Sequence, residues 1–180
     1  MPAISNRGVE LPESAIRKLV PYAEKAKALG RKVYHLNIGQ PDIKTPQHAI
    51  ERIRNFNFDL IPYGHSFGND TYRKKLAQYY RDRNLEVDAS QILITTGGSE
   101  AISFAFMVCF NPGDEVIIPT PSWISYEHQV AFAGGRPVFV PLGERFDLDV
   151  RAIERKLSRT TKAIILNSPH NPTGAVFSKR

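Results

Sequence analysis

The chain has 180 residues, 42% hydrophobic and 23% charged, a balance that suits one globular domain with a real core or part of a larger one. Its formal net charge of +6 invites a nucleic-acid reading. The basic residues (Arg17, Lys18, Lys25, Lys27, Arg31, Lys32, then Arg73 to Lys75, Arg81 and Arg83) are dispersed among acids with no aromatic-basic stripe, which argues against a nucleic-acid surface.

The opening "MPAISNRGVELPES" lacks the charged-then-apolar pattern of a signal segment. "ESAIRKLVPYAEKAKALG" then has helical spacing and closes at Gly30, a C-terminal capping residue. Pro21 is expected to interrupt or kink this helix, because proline donates no backbone hydrogen bond and crowds the preceding turn. "VYHLNIG" reads as a short extended segment running into the turn-rich "QPDIKTP". Thr45-Pro46 predicts a helix start, a cap followed by proline at the first helical position, opening "QHAIERIRNF". Another helix begins at about Asn69 and continues through "DTYRKKLAQYYRDRN".

From Ser90 onward, strands and helices alternate. "QILIT" reads as a strand, and "SEAISFAFMVCF" as a helix apolar almost all round and so buried on most faces. Within it Cys109 is the only cysteine, expected to be buried; it offers no disulfide framework or metal cluster and fits a reducing cytosol. No segment approaches the roughly 18 uninterrupted apolar residues of a membrane span. "EVIIP" is a strand, "SWISYEHQVAFAG" a helix closed by Gly134 and Gly135, and "PVFVP" a strand. "DVRAIERKLS" is an amphipathic helix and "KAIILN" the last strand. Such alternation predicts an α/β sandwich of parallel strands joined by right-handed crossovers.

In an open parallel sheet, ligands bind outside the carboxyl ends of the strands. The loops expected there are "TGGSE" (96–100), "TPSWISY" (120–126) and "NSPHNPTG" (167–174), the three least ordinary stretches of the chain. In the first, Gly97 and Gly98 allow close backbone approach to an anion at a helix start, and the Ser99 hydroxyl adds a donor. The competing reading is a tight turn with Ser99 capping the helix. Neither the dinucleotide spacing nor the P-loop Gly-Lys-Ser/Thr is present, so the turn suits one terminal phosphate. Trp123 is either a stacking surface for a flat ring or a core residue, with Tyr126 on the same helical face. Pro169 and Pro172 stiffen the third loop and Gly174 permits an unusual turn, so Asn171 presents a fixed donor or else makes a local bond. His170 is an acid-base group or, more simply, a packing histidine. A phosphate cup, an aromatic platform and a rigid polar donor together describe a pocket for a flat, singly phosphorylated ring.

These stretches resemble a known family. "NIGQPDIKTP", "YGHSFGNDTYRKKLAQYY", "TTGGSEAI", "NPGDEVIIPTPSW", "AGGRPV" and "NSPHNPTG" occur in the order found in class I/II, fold-type I aminotransferases dependent on pyridoxal 5′-phosphate (PLP). The chain is most similar to the N-terminal half of the aspartate aminotransferase-like group. The resemblance implies a three-layer α/β sandwich with a mostly parallel sheet, the incomplete major domain of PLP-dependent transferases, plus an N-terminal helical arm. Residues 1–45 would be the arm and small-domain segment, and 46–180 the first half of the PLP-binding large domain.

By the same resemblance, Gly98 and Ser99 match the phosphate-binding turn and Trp123 the residue stacking on the pyridine ring. Asn171 matches the asparagine that donates to the cofactor's phenolic oxygen and also lies in the substrate site. Gly39 matches a backbone position near the substrate carboxylate. Tyr63 matches a tyrosine reaching the phosphate of the neighbouring subunit's site, which implies a homodimer; its alternative is ordinary packing. Ser99 departs from relatives with lysine there, which leaves dicarboxylate specificity open. The Schiff-base lysine, the pyridine-nitrogen aspartate and the carboxylate-binding arginine have no match in this chain, and neither Lys162 nor Lys179 sits in the expected motif. The family needs roughly twice this length. The expectation is therefore a cytoplasmic aminotransferase fragment, inactive alone, from a parent moving an amino group between an amino acid such as aspartate and a 2-oxo acid. The alternatives are a carbon–sulfur lyase, an aminocyclopropane-carboxylate synthase-like enzyme, or a non-catalytic truncated binding or regulatory form.

Overall fold

The computed structural model describes residues 3–10, 14, 17–57 and 59–178. The chain divides into two compact units, Pro12–Ile92 and Leu93–Arg180 together with Met1–Leu11. The boundary falls at 92/93, inside the segment 46–180.

In the unit Pro12–Ile92, a 3-10 turn at Arg17–Leu19 leads into helix α2 (Val20–Ala28); a short helix α1 (Asn6–Glu10) precedes it in the chain. Glu13, Ala15 and Ile16 of the predicted first helix lie outside the described residues. Pro21 does not kink α2 but stands in its first turn, where a missing amide costs no helical hydrogen bond. Residues 33–39 form no strand and turn at 36–38. Helix α3 (Gln47–Arg54) takes Pro46, not Thr45, as its N-cap, with no side-chain cap bond. The proline therefore stands one position ahead of the first helical residue, Gln47, instead of filling that position.

Helix α4 (Asp70–Arg81) begins as predicted. The Asn69 side chain accepts the Tyr72 amide at 3.0 Å, satisfying one of the unpaired first-turn donors. Asp70 pairs with Lys74 at 2.6 Å and with Arg73 at 3.3 Å, and the hydrogen bond from Lys74 holds its carboxyl below the ordinary range. The Arg73 guanidinium also donates to the Ala89 carbonyl at 3.2 Å, tying α4 to the 3-10 turn Ala89–Gln91.

In the second unit, helix α5 (Gly98–Cys109) is followed by strand β1 (Glu115–Thr120), helix α6 (Ser125–Phe132), strand β2 (Arg136–Pro141), helix α7 (Val150–Lys156) and strand β3 (Thr161–Ile164). The sheet order is β2-β1-β3, and both pairs are parallel. Central β1 is buried on both faces. Val116 and Ile118 enter a cluster with Phe110, Tyr126 and Val130, against which Ile102 and Phe106 of α5 pack. Ile117 points the other way, into a cluster with Val140 and Ile153 flanked by Val138 and Ala152. The period of two along β1 thus creates three layers, with α5 and α6 on one face and α7 on the other.

Four expectations are corrected here. Residues 92–95 of "QILIT" form no strand, because neither edge of the three-stranded sheet pairs with them and a strand exists only through its ladder. Helix α5 is not buried on most faces. Ile102 and Phe106 face the core, while Phe104, Met107 and Val108 are exposed, Val108 by 86%. Cys109 lies at the open end of that helix and is exposed, not buried. The "SWISYEHQVAFAG" helix also begins later than read, at Ser125, leaving Trp123 in the preceding loop. No helix among the described residues is long and apolar enough to cross a membrane.

Because β1 carries both clusters, Ile118→Ala should cost about 2–5 kcal/mol in denaturant unfolding. Asn69→Ala, which removes only a cap, should cost about 1 kcal/mol. Equal costs would contradict the central role of β1.

Candidate functional site

The parallel register brings two of the three predicted loops to one edge. Thr120 ends β1, while Ile117 pairs with Ile164 and accepts the Ile165 amide at 3.0 Å, so the chain after β3 continues beside the carboxyl end of β1. The third loop opens α5, whose Ile102 and Phe106 pack on the same cluster as Trp123. The three predicted loops therefore belong to one compact unit.

The turn before α5 leaves backbone donors free and open to approach. Gly97 is the N-cap at φ +155° and ψ 172°, a conformation side-chain-bearing residues rarely adopt. The first turn bond runs from the Ala101 amide to the Gly97 carbonyl at 3.2 Å. The amides of Gly98, Ser99 and Glu100 precede it and have no intrahelical partner. A side chain added at Gly97 or Gly98 would meet no atom within 4 Å, so the backbone is open to approach. The Glu100 carboxylate accepts the Thr96 amide at 2.7 Å and the Thr95 hydroxyl donates to the Gly97 carbonyl at 2.9 Å, bracing the turn from within. Ser99 does not cap the helix: it is the second helical residue, and the N-cap makes no side-chain bond.

Trp123 is half-buried on the core cluster, edge-on to Tyr126 with ring centroids 5.2 Å apart, and keeps part of its ring accessible. Burial raises the Tyr126 phenol above its ordinary pKa, so the hydroxyl is a neutral member of this wall. In the loop after β3, His170 is the packing histidine of the simpler reading. It is 6% exposed, with Nδ1 2.8 Å from the Thr173 hydroxyl and its backbone closing the turn through Ala175 and Gly174. Gly174 has φ +73°, the unusual turn expected of it. Asn171 between the prolines is exposed, and its side chain makes no hydrogen bond to the described residues. A rigid turn therefore presents an uncommitted amide.

Comparison with known proteins decides the family. Residues 31–180 match the family model for "Aminotransferase class I and II". The chain belongs to that family. Among its relatives, an aspartate aminotransferase of Bacillus subtilis is 37% identical over 180 residues, covering 98% of this chain and 46% of the relative. An asparagine–oxo-acid transaminase of Streptococcus mutans is 36% identical, covering all of this chain and 47% of the relative. Among solved structures, a mutant aspartate aminotransferase of Thermus thermophilus superimposes with a TM-score of 0.91 at 35% identity, over 99% of this chain and 48% of the other. This aminotransferase chain spans about half the length of the curated relatives it matches. The family depends on pyridoxal phosphate.

The residues present fit that cofactor's phosphate: three unpaired amides at a helix start, an adjacent hydroxyl and open space before the two glycines. Gly98, Ser99, Trp123 and Asn171 lie in one unit of the aminotransferase chain, whereas Gly39 and Tyr63 lie in the other. Tyr63 is 106% exposed. Gly39 is likewise exposed, with no atom within 4 Å of the position a side chain would take. Among the described residues, no group of three or more His, Cys, Asp or Glu could hold a metal.

Sequence reasoning missed two contributors. Glu100 closes the turn onto the Thr96 amide, and Gln129 on α6 donates to the Ser99 carbonyl at 3.4 Å.

Gly97→Ala should destabilise the turn by about 1–3 kcal/mol through its backbone conformation and weaken phosphate-ester binding with it. Thermal unfolding and a phosphate-ester titration check this; an alanine variant matching the parent in both would contradict the geometry.

Proposed function

We propose that this chain is the cofactor-binding N-terminal part of an aminotransferase that moves an amino group between an amino acid, with aspartate the first candidate, and a 2-oxo acid. The observation that carries the reading is the run of unpaired amides from Gly98 to Glu100 at the start of α5, beside open space. The relatives named above are transaminases, which favours amino transfer over the lyase and synthase-like alternatives.

In this reading the Gly98 and Ser99 amides and the Ser99 hydroxyl hold the phosphate, aided by the partial positive charge of the helix start. Trp123 offers its ring face to the pyridine. Asn171, uncommitted within the chain, donates a hydrogen bond to the phenolic oxygen and faces the substrate. When bound, the cofactor supplies an electron sink for the pair left by removal of the substrate's α-proton. The backbone at Gly39 lies near the substrate carboxylate. Tyr63, fully exposed here, reaches the phosphate of a neighbouring subunit, so the working enzyme is a cytoplasmic homodimer. The proton-moving lysine has no assignable position among these 180 residues, so the chain alone carries out no transamination.

The test is amino transfer from a panel of donors, aspartate first, to 2-oxoglutarate. It compares the chain ending at Arg180 with the protein encoded by any continuation of its reading frame. The longer protein should transfer the amino group in a cofactor-dependent way, and the 180-residue chain should not. Asn171→Ala in the longer protein should lower kcat/KM by about 10- to 100-fold, the worth of a hydrogen bond to a charged acceptor. Transamination by the 180-residue chain, or none from any donor by the longer protein, would contradict the proposal.

A further inference from the structure

We propose that Gln129 is a positioning residue for the phosphate-holding turn, gripping the Ser99 carbonyl from the neighbouring helix; this rests on the reading of that turn given above. Gln129 stands on α6, 9% exposed, between Tyr126 and Val130 in sequence, with Val130 fully buried in the core cluster. Its Nε2 donates to the Ser99 carbonyl at 3.4 Å across 30 positions of sequence. Its Oε1 is buried without a partner among the described residues.

That unpartnered oxygen is the informative feature. A buried acceptor with no donor lowers stability, and an apolar side chain of similar length would fill the same space without that loss. Core stability therefore does not explain a glutamine here. What the amide adds is a directional contact to one carbonyl. The Ser99 carbonyl and the Glu100 amide belong to a single rigid peptide plane, so holding the oxygen fixes the direction in which the N–H points. The Ser103 hydroxyl donates to the same carbonyl at 2.9 Å, and the Glu100 carboxylate is held by the Thr96 amide. The peptide plane carrying one of the three unpaired amides is thus held from its own helix and from α6. Donors fixed before a ligand arrives lose no orientational freedom when it binds, which is how a second layer of contacts strengthens a site it does not touch.

The test compares the parent 180-residue chain with Gln129→Met, which keeps the length and apolar contacts of the side chain and removes the amide. The probes are pyridoxamine 5′-phosphate and pyridoxamine, amines with no aldehyde to condense with lysines. Their affinity ratio isolates the phosphate contribution. Gln129→Met should reduce that ratio by roughly 3- to 10-fold, the range expected for one modest hydrogen bond. Pyridoxamine affinity should stay unchanged, the thermal midpoint should be equal or higher, and hydrogen exchange at the Glu100 amide should be faster. A ratio identical to the parent's overturns the inference while leaving the phosphate turn in place. A parent chain that binds both probes equally overturns the phosphate reading itself, and this inference with it. Gln129→Leu provides a second apolar variant. If both fold poorly or lose both probes equally, Gln129 is a packing residue and the inference falls.

Discussion

A strand buried on both faces has no solvent side, and β1 is such a strand. Its two faces recruit α5 and α6 on one side and α7 on the other, and its two neighbours run parallel to it. Parallel pairing means that every strand leaves the sheet at the same edge, so the chain must form its loops together there. From that constraint follows the convergence of the Trp123 loop and the Asn171 loop. The packing of α5 and Trp123 on one cluster brings the glycine turn into the same unit.

The two edges of the sheet differ chemically. At the amino edge, Glu115 is 5% exposed yet satisfied: it pairs with Arg136 and accepts hydroxyls from Ser158 at 2.5 Å and Thr161 at 3.3 Å. A buried carboxylate with this many partners locks the starts of three strands and offers nothing to a ligand. Near the carboxyl edge the Asn171 side chain is uncommitted, and elsewhere in the same unit so are three first-turn amides of α5 and the Ser99 hydroxyl.

Much of this was legible in the residues. Short apolar runs marked β1 and β2, the helix start at Asn69 marked α4, and the glycine pair marked the turn that opens α5. The misses share a physical cause. "QILIT" and the apolar helix containing Cys109 were read from composition as though every apolar face had a cover. In this chain the 92–95 segment has no ladder and one side of α5 has no neighbour. Composition reports what a segment can bury, whereas burial depends on what stands opposite. The cap of α3 was read one residue early, at Thr45 instead of Pro46, because proline suits a helix start without marking which position it takes. Gln129 was passed over because a single glutamine in an apolar helix carries no signal until its partner across the core is known.

The central claim is that the start of α5 holds a phosphate ester through its unpaired amides. Titrating the isotopically labelled chain with pyridoxamine 5′-phosphate, while following backbone amide resonances, tests it most directly. Saturable shifts should appear at Gly98, Ser99 and Glu100, with smaller ones at the Trp123 indole and the Asn171 side-chain amide. Shifts confined to the basic surfaces of α2 and α3, with the start of α5 unmoved, would contradict it.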